Sequence, residues 1–218
     1  MNSKQVQLKV MKPKLINGIE RKSIDIIDIE DEDIFKDVYV SDCTIENEAA
    51  RHVSFNGVVF KNVNFKELEL SSLDLTDVRF EDCDLSNVNF SGAIIHRVEF
   101  INCKLMGINL SDAALQNIRI DKCNGRFAFM RFSQLKKVII EESILESSDF
   151  QNSKFNKVEL VNCNFRLSQM SGTSLAGIDL SSCNVEGLGI RIEDVKGAII
   201  SPLQAVDFAK LLGMEIKS

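Results

Sequence analysis

Six cysteines and two histidines are the side chains of this sequence that could bind a metal or react with one another. The cysteines are Cys43, Cys83, Cys103, Cys123, Cys163 and Cys183, and any two of them are separated by a multiple of twenty residues. Thiols with such regular spacing can hold zinc, form disulfides or serve as small buried side chains. The choice depends on how the chain places residues that lie twenty apart.

A five-residue repeat from Val38 to Ile200 predicts that placement. Of the 33 positions from 40 to 200 that are multiples of five, 31 are Val, Ile, Leu, Met or Phe, and the exceptions are Ala50 and Gly125. This period fits neither a helix, with about 3.6 residues per turn, nor a strand, with a period of about 2. The residue two places before each of these apolar centres is mostly small or β-branched. Because residues i and i+2 of a strand share a face, each unit is predicted to contain a short strand with two inward side chains.

The residue two places after each centre indicates a turn. The 32 such positions from Asp42 to Gly197 hold seven glycines, seven asparagines and four aspartates. These residues tolerate the positive φ angle that the third residue of a type II turn requires. Every unit is therefore predicted to be a short strand followed by a tight turn.

Four units, or twenty residues, are predicted to close one coil. Besides the cysteines, a β-branched column has the same spacing and consists of Val58, Val78, Val98, Ile118, Val138, Val158 and Ile178. Residues 38–200 are thus predicted to form an all-β, four-sided solenoid of about eight coils, in which each coil contacts its neighbours.

Stacked coils restrict the chemistry of the cysteines. A single file of thiols at steps of about 4.8 Å cannot surround one tetrahedral zinc ion, so no metal site is expected. A disulfide between neighbours such as Cys83 and Cys103 is compatible with the Cα spacing, although reduced thiols packed in the core are favoured. His52 and His96 fall at corners on different sides of the coil, without a motif beside either. We expect no catalytic, cofactor-binding or metal-binding residues.

The units CDLSN at 83–87, VNFSG at 88–92 and CNFRL at 163–167 resemble the repeats of the pentapeptide-repeat family. The resemblance extends over residues 38–200 of the 218. It implies a right-handed quadrilateral β-helix, and the handedness comes from the family alone.

The two ends of the chain depart from the repeat. Residues 1–37 are predicted to form an N-terminal cap over the first coil, because an open solenoid end exposes core and strand edges. In residues 201–218, Ser201 and Gln204 form a capping box for a helix that is expected to run to about Leu212. The sequence has no signal peptide and no long apolar run, so the protein is expected in the cytoplasm and outside membranes.

The C-terminal segment QAVDFAKLLGMEI resembles the capping helix and tail of the quinolone-resistance (Qnr) proteins and related gyrase-interacting members of that family. In those members the segment forms a two-fold dimer, so the resemblance implies a homodimer. The apolar residues assigned to the dimer interface are Leu203, Val206, Phe208, Leu211, Leu212, Met214 and Ile216.

An aromatic patch interrupts the otherwise polar exterior of the repeat. The register predicts that Phe127, Phe129 and Phe132 point outward beside Arg131. Exposed aromatic residues with arginine are typical of partner-binding hot spots. The alternative is that the N-terminal segment packs over them.

The family resemblance implies binding to DNA gyrase or topoisomerase IV by a rod that replaces duplex DNA, with an effect on quinolone sensitivity. The candidate mimic is an acidic corner that consists of Glu81, Asp82, Asp121, Glu141 and Glu142. A dimer about 80 Å long would match DNA with about 50 charges, but it would carry only twice −6, or −12. A structural interaction module with an unidentified cytoplasmic partner is the alternative. Neither function requires direct contact with nucleic acid.

Overall fold

The computed structural model describes residues 8–16, 29–46, 49–211 and 213–215. Strands β1 to β8 have three residues each and are Ile34–Lys36, Tyr39–Ser41, Thr44–Glu46, Ala49–Arg51, Ser54–Asn56, Val59–Lys61, Asn64–Lys66 and Glu69–Ser71. Strands β9 to β13 have eight residues each and are Asp74–Glu81, Ile94–Ile101, Ala114–Asp121, Gln134–Glu141 and Lys154–Val161. The helices are α1, Ile192–Val195, and α2, Pro202–Lys210.

All paired strands are parallel and offset by twenty residues. Phe60 pairs with Phe80 and Phe80 with Phe100, for example. This register confirms that four five-residue units form one coil of a β-solenoid. The longest strand ladder has seven members, β1-β5-β9-β10-β11-β12-β13, and therefore makes six steps, fewer than the eight coils predicted. Beyond β13 the coils are joined by isolated bridges, such as Asn164 to Asn184.

The apolar centres of the repeat form the core as predicted. Phe60, Phe80 and Phe100 stack with ring centroids 5.0 Å apart at each step. Five of the six cysteines are buried and Cys43 is half-buried, and none of these six described cysteines is in a disulfide. The hydrogen bond with Cys123, together with burial, raises the pKa of Cys103 to about 12. The thiols thus fill the single column that the sequence predicts for them.

The residue two places after each centre has a positive φ angle at nearly every described corner, as at Asn102 (53°) and Gly92 (67°). In the coils from residue 74 to 161, two of the four corners are tight turns, such as the one closed by the Val88 N–H and the Leu85 carbonyl at 3.3 Å. At another corner β9 runs through Asp77 (φ 57°) as one extended strand. The prediction of a tight turn in every unit is therefore wrong, because a single left-handed residue can bend a strand without a turn hydrogen bond.

The coil pattern begins upstream of residue 38. Strand β1, in the segment assigned to the cap, pairs with β5 in the twenty-residue register, and Phe35 stacks on Phe55 at 5.0 Å. Residues 8–16 do not lie over the first coil but along the side of the solenoid, as described below. Residues 1–7 and 17–28 of the predicted cap lie outside the described residues.

Helix α2 closes the C-terminal end of the solenoid. The Ser201 hydroxyl and the Gln204 side chain form the predicted capping box, and Pro202 is the first residue of the helix. The buried Gln204 amide donates to the carbonyls of Leu180 and Cys183, both at 2.7 Å. Gln204 thus satisfies the Cys183 carbonyl at the end of the solenoid and adds a second hydrogen bond to the Leu180 carbonyl, which also accepts from the Cys183 N–H at 2.8 Å. In the described part of the chain, no helix has the length and apolar character needed to cross a membrane.

Replacing Phe100 by Ala should lower the free energy of unfolding by roughly 3 to 5 kcal/mol, because a cavity would open inside the ring stack. Chemical denaturation measures this loss. As a matched control, Asn102→Gly should cost well under about 1 kcal/mol, since glycine tolerates its positive φ angle. Equal losses for the two variants would contradict the inward and outward assignment.

Candidate functional site

The aromatic patch (Phe127, Phe129, Arg131 and Phe132) lies along one side of a single coil. Its three phenylalanines are 53 %, 47 % and 51 % exposed, respectively, whereas Ala128 and Met130 between them are buried in the core. The alternation of the repeat therefore positions three rings on the outside, as predicted. Their exposure leaves three aromatic rings in contact with solvent on one side of the coil.

Two of these phenylalanines lie at left-handed corners of the coil. Phe127 and Phe132 have φ angles of 60° and 59°, in the left-handed region that bulky residues rarely adopt. Many other corners place Gly, Asn or Asp there, at lower conformational cost, although Leu167 and Lys157 also adopt a positive φ angle. Neither core packing nor backbone preference accounts for phenylalanine at these corners, which favours a role in contact with another molecule.

Charged residues at the patch are paired. The Arg131 guanidinium lies 5.9 Å from the centroid of the Phe132 ring and 3.4 Å from the Asp149 carboxylate. Next to it, Glu146 pairs with Arg126 at 3.2 Å and with Arg166 at 2.7 Å. The aromatic patch is therefore bordered by ion pairs whose charges nearly cancel.

The N-terminal arm (residues 8–16) does not cover the patch. Its backbone N–H groups at Leu8, Met11 and Lys14 donate to Glu159 at 2.6 Å, Asn117 at 3.4 Å and Asp77 at 2.8 Å. Asn117 and Asp77 lie at the corner two units away from the Phe127 corner, hence diagonally opposite on the coil. For the described part of the N-terminal segment, the alternative of packing over the patch is wrong.

The arm runs parallel to the solenoid axis. Asp77, Asn117 and Glu159 are each about two coils apart, or roughly 10 Å at about 4.8 Å per coil. Three residues of extended chain also span about 10 Å, which matches the three-residue spacing of the donors. We call these three acceptors, which cross four coil steps, the arm track.

Polar groups beside the arm track are unusually buried for outward positions. The Glu99 carboxylate is 4 % exposed and accepts from Arg79 at 2.7 and 2.9 Å, and Ile139 is only 6 % exposed. Sequence reasoning missed this surface. Its signals are an apolar residue, Ile139, where the repeat is usually polar, and the alternating apolar residues of the arm.

Electrostatics at the arm track centre on Asp77. Burial opposes ionisation of Asp77, but hydrogen bonds from Arg97 and from the Lys14 N–H outweigh it, and the pKa of Asp77 is lowered. The Asp77–Arg97 pair has contacts of 2.5 and 2.6 Å. His96 is half-buried beside Arg97 rather than fully solvated, and burial followed by the Arg97 charge lowers the pKa of His96.

The acidic corner forms a column, but cations neutralise much of it. Glu81 pairs with Lys61 at 2.8 Å, and Glu142 with Lys122 at 3.8 Å. Arg119 contacts both Glu141 and Asp121. Asp82 accepts a hydrogen bond from Asn102 at 2.6 Å. Most carboxylates of the acidic corner are thus in ion pairs, so little of its negative charge is uncompensated.

The residues assigned to the dimer interface divide into two groups. Leu203, Val206 and Met214 are 86 %, 45 % and 56 % exposed, whereas Phe208 and Leu211 pack partly against the core. Leu212 and Ile216 lie outside the described residues. An apolar groove of about 620 Å³ runs between α1 and α2. Among the described residues, no three His, Cys, Asp or Glu side chains form a group that could hold a metal ion.

Family models match most of the solenoid. The model described as "Pentapeptide repeat region" matches residues 73–150, and the model "Pentapeptide repeats (8 copies)" matches 50–82 and 148–187. The uncharacterised protein YisX of Bacillus subtilis (strain 168) is 32 % identical over 211 residues, which cover 96 % of this chain and 99 % of YisX.

Solved structures with the same repeat are more distant. Trypsin-treated QnrB1, a plasmid-mediated fluoroquinolone resistance protein, is 16 % identical with a TM-score of 0.46, covering 87 % of this chain and 100 % of that one. HetL of Nostoc sp. strain PCC 7120, a pentapeptide-repeat protein involved in the regulation of heterocyst differentiation, is 16 % identical with a TM-score of 0.31. That match covers 78 % of this chain and 86 % of HetL.

Acidification should loosen the arm at Lys14. Because the pKa of Asp77 is lowered in the folded protein, its contribution is complete above its ordinary value near 4 and is lost as the pH falls through the lowered value. Hydrogen exchange should show a constant protection factor for the Lys14 amide from pH 6 to about pH 4 and a fall at lower pH. The Met11 amide, bonded to the non-titrating Asn117, serves as an internal control. Unchanged protection of Lys14 would contradict the assigned role of Asp77.

Proposed function

The chain belongs to the pentapeptide-repeat family, and we propose that it is a non-enzymatic, cytoplasmic protein-interaction module that docks through the aromatic patch. One observation carries the proposal: three half-exposed phenylalanines share one side of a coil, and two of them occupy left-handed corners. Contiguous aromatic surface of this kind typically marks a site that a partner covers.

The patch is large enough to support an interface core. Three phenylalanines that each bury about 200 Å² when fully covered, and are now about half exposed, leave roughly 300 Å² of ring surface. Removing that area from water contributes about 7 kcal/mol before the costs of association. Arg131, which neighbours Phe132, adds the residue type that often accompanies aromatic hot spots.

Replacing Phe127 and Phe132 by Asn should weaken partner binding without lowering the stability of the fold. Asparagine tolerates positive φ better than phenylalanine does, so the free energy of unfolding should stay the same or rise by up to about 1 kcal/mol. Capture of the cytosolic partner in a pull-down should nevertheless fall at least tenfold. Asn109→Ser, on the same side one coil away, is the matched control. Full capture by the double variant would refute docking through the patch.

A second candidate function is binding to DNA gyrase or topoisomerase IV as a partial DNA mimic, with a change in quinolone sensitivity. The observation that favours it is the alignment of the acidic-corner carboxylates along the rod. Glu81, Asp121 and Glu141 share one column, Asp82 and Glu142 lie in the adjacent one, and Ile101 and Asn102 occupy the coil between Glu81 and Asp121. The ion pairs with Lys61, Arg119 and Lys122 weigh against a strong mimic. The aromatic patch is therefore the better-supported surface.

Supercoiling by purified gyrase, with and without a quinolone, tests this second function. A DNA mimic should inhibit supercoiling or relieve quinolone inhibition at micromolar concentration. Substituting Lys for Glu81, Asp82, Glu141 and Glu142 should abolish the effect, and the Phe127 and Phe132 variant should retain it. Absence of any effect at tens of micromolar would eliminate the candidate.

We also propose a homodimer through α2 and the tail. Leu203, the most exposed large apolar residue of the described chain, lies beside the half-exposed Val206 on the free side of the helix. Light scattering should give twice the monomer mass at micromolar concentration, and Leu203→Lys should shift the protein toward monomer. Asp207→Lys, at the edge of that surface, should have a smaller effect. A stable wild-type monomer would refute the dimer.

A further inference from the structure

The N-terminal arm is held to the solenoid as a bound peptide would be. Its three described hydrogen bonds to the track come from backbone N–H groups and end on side chains of the solenoid. Along the arm, half-buried apolar residues alternate with exposed lysines, and the half-buried set is Leu8, Val10, Pro13 and Leu15. The track therefore recognises an extended segment by its main chain and by its apolar side chains.

The arm track is selective for register. Pro13, which has no N–H, falls between the bonded positions Met11 and Lys14, where no acceptor is needed. Shifting the arm by two residues toward its N-terminus would place Pro13 opposite Asn117 and lose that hydrogen bond. The sequence of the arm and the spacing of the track thus fit in one alignment.

The track exists independently of the arm. Asp77 is fixed by Arg97, and Asn117 lies on a corner whose backbone belongs to β11. Glu159 is part of β13, which is paired with β12. Since coil-to-coil hydrogen bonds hold all three acceptors in place, an empty track would keep its shape.

The connection between arm and solenoid is longer than the intramolecular contact needs. Residues 17–28 join Ile16 to Ile29 and can span about 40 Å when extended. Along the axis, the coil of Asp77 is only two coils, or about 10 Å, from the first coil. The arm of one molecule can therefore reach the track of a neighbour.

We propose that the arm track is a binding site for an extended segment supplied in trans, and that its partner is a second copy of this chain, which contributes its own residues 8–16. The structure shows residues 8–16 bonded to Asp77, Asn117 and Glu159, so the same segment of a second copy fits the arm track. The positive charge of Lys14 also favours the ionised form of Asp77. The proposal does not depend on the aromatic patch or on topoisomerase binding.

Two complementary full-length variants test the exchange. The arm variant, Leu8→Pro with Met11→Pro, removes two backbone donors and leaves the track intact. The track variant, Asn117→Gly with Glu159→Ala, removes two acceptors and leaves the arm intact. Native mass spectrometry of the mixture should show a mixed dimer well above the share expected from random pairing, since only that pair combines an intact arm with an open track. A random share would overturn the proposal even if the protein dimerises through α2.

A labelled peptide with the sequence of residues 8–16 provides an independent measurement. It should bind the arm variant at least tenfold more tightly than the wild type, whose own arm competes, and the same peptide with Met11→Pro should bind at least tenfold more weakly. Equal binding to the arm variant and the wild type would overturn the proposal. Leu8→Asp with Val10→Asp is a second arm variant, and melting temperatures near that of the wild type show that both variants are folded.

Discussion

The structure depends on one constraint, the parallel pairing of residues that lie twenty apart. Most corner N–H groups bond to a carbonyl of the next coil, as Asn62 does with Glu81 at 2.9 Å and Asn102 with Asp121 at 2.9 Å. A one-residue slip in any coil would turn phenylalanines outward and charges inward through all coils above it. The register therefore fixes the core and, at the same time, arranges the surface in straight columns.

Because surface residues form straight columns, their positions follow from the repeat. Which partner the surface binds depends on the individual side chains. The same geometry that stacks Phe80 on Phe100 also stacks Asp82 next to Asn102. Opposite charges in adjacent coils, such as Lys61 and Glu81, consequently neutralise each other at 2.8 Å. A column that looks acidic in the sequence is thus mostly compensated, whereas uncharged rings at Phe127 and Phe132 cannot be neutralised by a neighbouring coil.

The sequence predicts the periodic part of the molecule and the start of the C-terminal helix, but not the arm or α1. Apolar centres at every fifth residue and Asn or Gly two places later determine the coil, and Ser201 with Gln204 determines the start of α2. The position of the arm could not be deduced, because its acceptors look like ordinary repeat residues: Asp77 and Asn117 at corners and Glu159 on a side. Helix α1 was also missed, since Ile192 to Val195 keeps the spacing of the repeat while the chain forms a helical turn.

The side chain of Gln204 affects whether separate molecules can associate end to end. A parallel β-structure that stopped after its last rung would present unpaired carbonyls, which are a template for another chain. By donating to Cys183 as well as to Leu180, the Gln204 amide occupies such an acceptor, and helix α2 lies where a further rung would attach. The parallel strands of the solenoid are spaced as in an amyloid fibril, but among the described residues its C-terminal end offers no open edge on which a fibril could grow.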